Sequence, residues 1–249
     1  MSTTKNEDPD AFAHSHAYLS VRRFVRNNTP FLIAPWTAVK RLAWSIRYPT
    51  AASRFARIHE TNYWANGESL SGEGSTMEAT QHVREALEDF IREKQIPSML
   101  DVPCGDFNWM RHVKMDIPYI GGDIVEAIAL RNQANYGNER RKFQMIDLTK
   151  SKLPQCGLVF TRDCLNHLSI PDIQRAIANI KSSGADYIGV TQFPAQTVNK
   201  SQESGFTYRE LNFRLAPFNW SEPVAIHDEK LHPGKHIAFW KTSDLPSAT

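Results

Sequence analysis

Cysteine is scarce in this sequence, and the little there is forms no framework: Cys104, Cys156 and Cys164 are odd in number and fall in or beside expected strands. This argues against a disulfide-stapled secreted scaffold and for free, buried thiols in a reducing, cytoplasmic compartment. No apolar run approaches the ~20 residues needed to span a bilayer, and the first residues are polar and acidic, so neither a membrane span nor a secretory leader is expected. Charge of one sign is lacking too. The 29 Lys and Arg against 27 Asp and Glu leave a net +2, which does not mark the whole chain as a nucleic-acid binder. Also absent is G-x-G-x-x-G, the pattern that seats a pyrophosphate against a helix N-terminus, and this excludes an ordinary nicotinamide enzyme.

What is present suffices for a packed core. Hydrophobic residues at 41% and charged residues at 22% of 249 lie near the globular average, so one large α/β domain with an appendage, or two small domains, is expected. Residues 1–15 read as a disordered polar tail. Residues 16–60 form a basic, aromatic segment, and from Tyr18 to Ile58 Arg22, Arg23, Arg26, Lys40, Arg41, Arg47, Arg54 and Arg57 meet no acid; two or three short amphipathic helices are expected there. One account makes this segment a lid that packs its aromatic face and leaves its cations in water. The other makes it an electropositive surface facing a membrane or an acidic acceptor.

Residues 61–245 carry the main domain. Met99 to Val102 is a short apolar strand that breaks into Pro103-Cys104-Gly105-Asp106, and Tyr119 to Ile124 is a second that delivers Asp123 to its carboxyl end. A third strand closes on Asp147, a fourth (158–163) runs into Cys164-Leu165-Asn166-His167, and a fifth covers 187–193. Helices are expected from a Ser75/Glu78 capping box into residues 83–91, over 107–113, over 126–136, and over 171–181. Two last strands, 222–228 and 235–241, read as a hairpin. The order implies a doubly wound, mostly parallel sheet, in which ligands bind beyond the carboxyl ends of the strands where strand order reverses. Two strand-end acids there suit a ligand with ribose hydroxyls and a positive charge.

On these residues the chain resembles the class I S-adenosylmethionine-dependent methyltransferases, whose sheet has seven strands with an antiparallel C-terminal pair. Trp64 with Ser71-Gly72-Glu73-Gly74-Ser75, the run Asp101 to Trp109, Arg162 to Leu168, and Leu211-Asn212-Phe213 narrow the resemblance to a bacterial family. That family includes sugar O-methyltransferases such as the fucose 2-O-methyltransferases of nodulation-signal lipo-oligosaccharides. The resemblance covers roughly residues 60–241. It implies S-adenosyl-L-methionine as cofactor, with S-adenosyl-L-homocysteine as its product. The donor site falls to Asp101, Pro103, Cys104, Gly105, Asp106, Asp123, Asp147, Leu148, Ser71, Gly72, Ser75 and Arg162. Trp64, Asn199 and Asn212 become candidates for the acceptor side, since amides both donate to and accept from sugar hydroxyls. His167 is the candidate general base, with Asp163 either orienting its imidazole or lining the donor site.

His227, His232 and His236 gather at the hairpin without a metal-ligand spacing, so they read as surface residues and no metal is expected. The acceptor expected on this reading is a glycan or glycolipid, with peripheral membrane contact through the basic segment and no nucleic acid. Two alternatives stay open. One is a methyltransferase on RNA or another phosphate-bearing acceptor docked by residues 16–60, and the other is a non-catalytic binding module.

Overall fold

The computed structural model describes Trp44, residues 46–205 and residues 207–246. The chain divides into two compact units, residues 1–49 and 50–249. In the first, Tyr48 N donates to Trp44 O at 2.8 Å and the two rings lie 4.4 Å apart; the tail and most of the basic segment read from the sequence lie outside the described residues. Everything below belongs to the second unit.

Its sheet has seven strands: β1 (Met99–Asp101), β2 (Tyr119–Asp123), β3 (Arg141–Met145), β4 (Leu158–Thr161), β5 (Tyr187–Gln192), β6 (Ala225–Asp228) and β7 (His236–Lys241). The spatial order is β3-β2-β1-β4-β5-β7-β6. Strands β1 to β5 pair parallel, whereas β7 runs antiparallel to both β5 and β6. The order reverses between β1 and β4, so the crevice expected of a doubly wound sheet opens at their carboxyl ends.

Period-2 alternation divides the strands between two cores. On one side lie Leu100, Val159, Ile188, Val190, Ala238 and Trp240; on the other lie Met99, Leu158, Phe160, Ile237 and Phe239. Because both faces are covered, the central strands are apolar throughout rather than alternating with polar residues. Helix α2 (Gln81–Lys94) packs Val83, Leu87 and Phe90 on the second face, and α4 (Ile170–Ser182) packs Ile173, Ala176 and Ile180 on the first. The remaining helices are α1 (Ala51–Glu60), capped by a Thr50/Ser53 box, and α3 (Glu126–Tyr136).

Two local expectations are corrected. Ser75 does not cap α2: it ends a 3-10 turn (Glu73–Ser75), and the helix begins at Gln81. Between them residues 76–80 form turns, with Thr80 N donating to Thr76 O at 3.1 Å, and Glu68 Oε1 accepts Met77 N at 2.7 Å and Asn108 Nδ2 at 2.9 Å, which ties this stretch to the loop after β1. The helix expected over 107–113 shrinks to a 3-10 turn, Met110–His112, because Phe107 takes a left-handed φ of 59°. Among the described residues, no helix is long and apolar enough to cross a membrane.

Candidate active site

Asp101 and Asp123 finish β1 and β2, Asp106 follows in the loop after β1, and the fold uses each differently. Asp101 is buried and accepts Tyr119 Oη at 2.6 Å; burial pushes its pKa up to about 8, against the pull of that hydrogen bond. Asp123, also buried, accepts Val125 N at 2.9 Å and Gly105 N at 3.2 Å, and burial raises it to about 6. Asp106 faces the other way, toward the glycine-rich loop. It takes Leu70 N at 2.7 Å, Ser69 Oγ at 2.9 Å and Ser71 Oγ at 3.3 Å, and so ties residues 69–71 to the loop after β1. Gly105 sits at that junction with φ +52°, and a Cβ there would lie 2.4 Å from Ser71 Oγ. A side chain at this position would meet both backbone strain and the serine.

These residues line one cavity of about 650 Å³. Its floor is Asp101, Gly105 and Asp123, one wall is Ile124, Asp147 and Leu148, and α1 contributes Phe55, Ile58 and His59. Asp147 is held as a turn residue, accepting Thr149 N at 2.9 Å and Thr149 Oγ1 at 2.6 Å. Arg131 of α3 lies on the same lining, and with burial it helps to lower the His59 pKa.

At the end of β4 the chemistry changes. Arg162 is buried and bridges segments: Nη1 donates to Gly74 O at 2.9 Å, while Nε and Nη2 fork onto Glu229 at 3.1 and 2.6 Å. Asp163 takes a left-handed φ of 53° and accepts Lys235 Nζ at 2.6 Å and Tyr208 Oη at 3.0 Å. Burial alone would raise its carboxyl, but Lys235 and Arg162 hold it well below the usual range, so it stays ionised. His167 stands in aromatic surroundings, its ring 5.0 Å from Trp64, 5.2 Å from Tyr208 and 6.2 Å from Phe55. Its Nδ1 is buried without a hydrogen-bond partner, and burial lowers its pKa against the opposing charge of Asp163, so the ring is neutral near pH 7.

No family model and no curated protein matches the chain. Solved structures do. One is the 1,6-didemethyltoxoflavin-N1-methyltransferase of Burkholderia thailandensis with bound 1,6-didemethyltoxoflavin and S-adenosylhomocysteine, at 16% identity and TM-score 0.53, covering 75% of this chain and 88% of that one. Another is PigF with SAH, at 13% identity and TM-score 0.50, covering 80% of this chain and 61% of that one. This is the methyltransferase fold of class I. A third match, human N-acetylserotonin methyltransferase in complex with SAM, has 12% identity and TM-score 0.49; it covers 80% of this chain, which spans only 58% of its length.

Within that methyltransferase fold, Ser71, Gly72, Ser75, Asp101, Pro103, Cys104, Gly105, Asp106, Asp123, Asp147, Leu148 and Arg162 all line the cavity, as do Trp64, Asp163 and His167. Asp163 makes no hydrogen bond to His167, because its oxygens face Lys235, Tyr208, Arg162 and Thr191 instead; it does not orient the imidazole directly. Asn199 and Asn212 do not line the cavity. Asn199 donates to Asn212 O (2.8 Å) and Ala216 O (3.0 Å), and buried Asn212 donates to Pro194 O (3.1 Å) and Gln196 O (3.0 Å). Both amides are loop braces.

Phe55, Tyr208, Lys235 and His232 also line the cavity, and Glu229 lies behind it on Arg162, none of which the sequence marks. The hairpin turn looks like surface in the sequence, yet Glu229 and Lys235 are buried by partners 67 to 72 residues away, and no local signal marks such pairings. His236 Nδ1 lies 3.1 Å from Gly234 O. Among the described residues, no group of three or more ligand-type side chains is placed to hold a metal ion.

Proposed function

We propose that this protein is an S-adenosyl-L-methionine-dependent O-methyltransferase acting on a sugar hydroxyl of a glycan or glycolipid. The observation that carries the reading is His167: an imidazole kept neutral by burial, in the wall of a cavity that strand-end carboxylates also line. The residues present fit the donor. Asp123 offers a buried carboxylate to ribose hydroxyls, Gly105 leaves room for close backbone approach, and Ile124 with Leu148 gives an apolar slot for an adenine. When bound, S-adenosylmethionine supplies a methyl already activated on a sulfonium. What remains for the protein is alignment, exclusion of water and removal of one proton.

The chain's own groups meet those needs. Phe55, Trp64 and Tyr208 present flat apolar faces suited to the C–H face of a sugar ring, and they keep water from the reacting oxygen. His167 would accept the hydroxyl proton as the oxygen–methyl bond forms and the methyl–sulfur bond breaks, the bonding pair staying on the sulfur of the departing S-adenosylhomocysteine, and would later release the proton to solvent.

The test incubates the protein with labelled donor and separate fractions of cell-surface saccharides, lipids and RNA. Label in the saccharide or glycolipid fraction is the expected result; label confined to RNA, or none, overturns the acceptor assignment. In His167→Ala, turnover should fall ~100-fold while binding of S-adenosylhomocysteine, read by calorimetry, is unchanged.

A further inference from the structure

The turn between β6 and β7 inserts two charged side chains into the protein interior. Glu229 is 1% exposed and Lys235 5%. Burying such charges is costly unless they are paired, and an apolar turn would serve a hairpin as well. Their partners are site residues. Lys235 Nζ lies 2.6 Å from Asp163 Oδ2 and 3.4 Å from Glu229 Oε2, and Glu229 receives the fork of Arg162.

From this quartet two lines of contact leave in different directions. Arg162 Nη1 reaches Gly74 O at 2.9 Å, in the glycine-rich loop that Asp106 also holds. Asp163 Oδ1 takes Tyr208 Oη at 3.0 Å, and the Tyr208 ring stands edge-on at 71° and 5.2 Å from His167. We propose that Lys235 is a positioning residue that, through Asp163 and Tyr208, fixes the His167 imidazole against the acceptor, while Glu229 fixes the donor loop through Arg162. The proposal rests on His167 being the base.

The ammonium neutralises Asp163 and Glu229 together, and it sets the direction of the Asp163 carboxylate. Asp163 is held in a left-handed backbone that a residue with a Cβ adopts only under constraint, and its N–H is tied to Thr191 Oγ1 at 2.8 Å. Its carboxylate is thereby turned to meet Lys235 and Tyr208 together. Around His167 the charged or titratable neighbours are Asp163, Lys235 and Tyr208. From α1 comes the Phe55 ring and from the loop before Ser69 the Trp64 ring, while Asp172 of α4 is bound to Ser169, Ser204 and Arg175.

Three variants of the full chain test this: Lys235→Met, Lys235→Arg and Glu229→Gln, each checked for folding by its thermal melt. With the labelled saccharide fraction as acceptor, Lys235→Met should lose ~10-fold or more in kcat, on the scale of a misplaced catalytic group, with affinity for S-adenosylhomocysteine unchanged. Lys235→Arg, which keeps the charge, should recover most of that loss. Glu229→Gln should weaken S-adenosylhomocysteine binding ~10-fold, the scale of one weakened charge-assisted bond, and unchanged binding overturns the donor-loop half of the proposal. Wild-type kcat in a folded Lys235→Met, or Lys235→Arg no better than Lys235→Met, overturns the proposal. If Lys235→Met does not fold, Lys235→Gln takes its place under the same criteria. Should the wild-type protein methylate no saccharide, the O-methyltransferase reading fails separately. The positioning claim is then read from the His167 imidazole NMR signals, expected to broaden in Lys235→Met but not in Lys235→Arg; unchanged signals in both overturn it.

Discussion

Two carboxylates 22 residues apart, Asp101 and Asp123, sit side by side beneath the cavity, and burial raises both. For Asp101 the consequence for stability has a definite sign. Below about pH 4 the carboxyl is protonated whether the chain is folded or not. From there to about pH 8 the folded protein retains a proton that the unfolded chain releases, so stability falls as pH rises through that window and levels off above it. Asp101→Asn, which can still accept from Tyr119, should therefore melt higher than wild type at pH 9 by several degrees, at ~2–4 °C per kcal/mol, and the gain should vanish near pH 4. Thermal melts across that range check it. A bound sulfonium has the opposite preference, favouring the ionised carboxylate, so calorimetry should show affinity for S-adenosylmethionine rising with pH over the same interval, and Asp101→Asn should flatten that rise.

At the scale of an element, the glycine-rich loop is the part of the site with the least structure of its own. It has one 3-10 turn and no strand or helix, and its place is set by Asp106 from one side and Arg162 from the other. Asp106→Ala removes an ionised acceptor from Leu70 N, Ser69 Oγ and Ser71 Oγ, bonds that each contribute about 1.5–3 kcal/mol in such a setting. Hydrogen exchange at the amides of Leu70 and Ser71 should then quicken sharply, and S-adenosylhomocysteine should bind ~10-fold or more weakly, with α2 and the sheet protected as before. Gly105→Ala attacks the same junction from beneath, through the 2.4 Å approach to Ser71 Oγ. Like Asp106→Ala, it should lower the melting temperature as well as donor-product affinity.

The whole molecule holds this site open because its sheet is packed on both faces. Strand β7 shows the arrangement most clearly: Phe239 stacks on Phe90 at 4.0 Å on one face, while Trp240 meets Trp220 at 5.0 Å on the other and donates from Nε1 to Ser221 O at 2.9 Å. Trp240→Ala should cost ~3–5 kcal/mol in urea unfolding, the range for a large buried aromatic. Because β7 leads directly back to Lys235, that variant should also reduce turnover in the fraction that remains folded. A substitution on the exposed end of β6, Ile226→Thr, should change neither by much.

The sequence by itself determined the alternation of strands and helices, the reversal of direction at the last pair, and the carboxyl edge bearing Asp101, Asp123 and Asp147. Those features come from local periodicity and from breakers such as Pro103 and Gly105, which act over a few residues and so are written in runs of the chain. Placing His167 within six residues of the end of β4 was legible for the same reason. What only the tertiary structure decided were partnerships over long separations: Glu229 with Arg162, Lys235 with Asp163, Tyr208 and Phe55 with His167, and Asn199 with Asn212 rather than with a ligand. A charge on a hairpin turn looks solvated until the sheet closes over it, and an amide in a polar loop looks free until neighbouring carbonyls claim it. Burial and pairing of that kind are properties of the packed molecule, since each depends on which distant segment arrives to exclude the water.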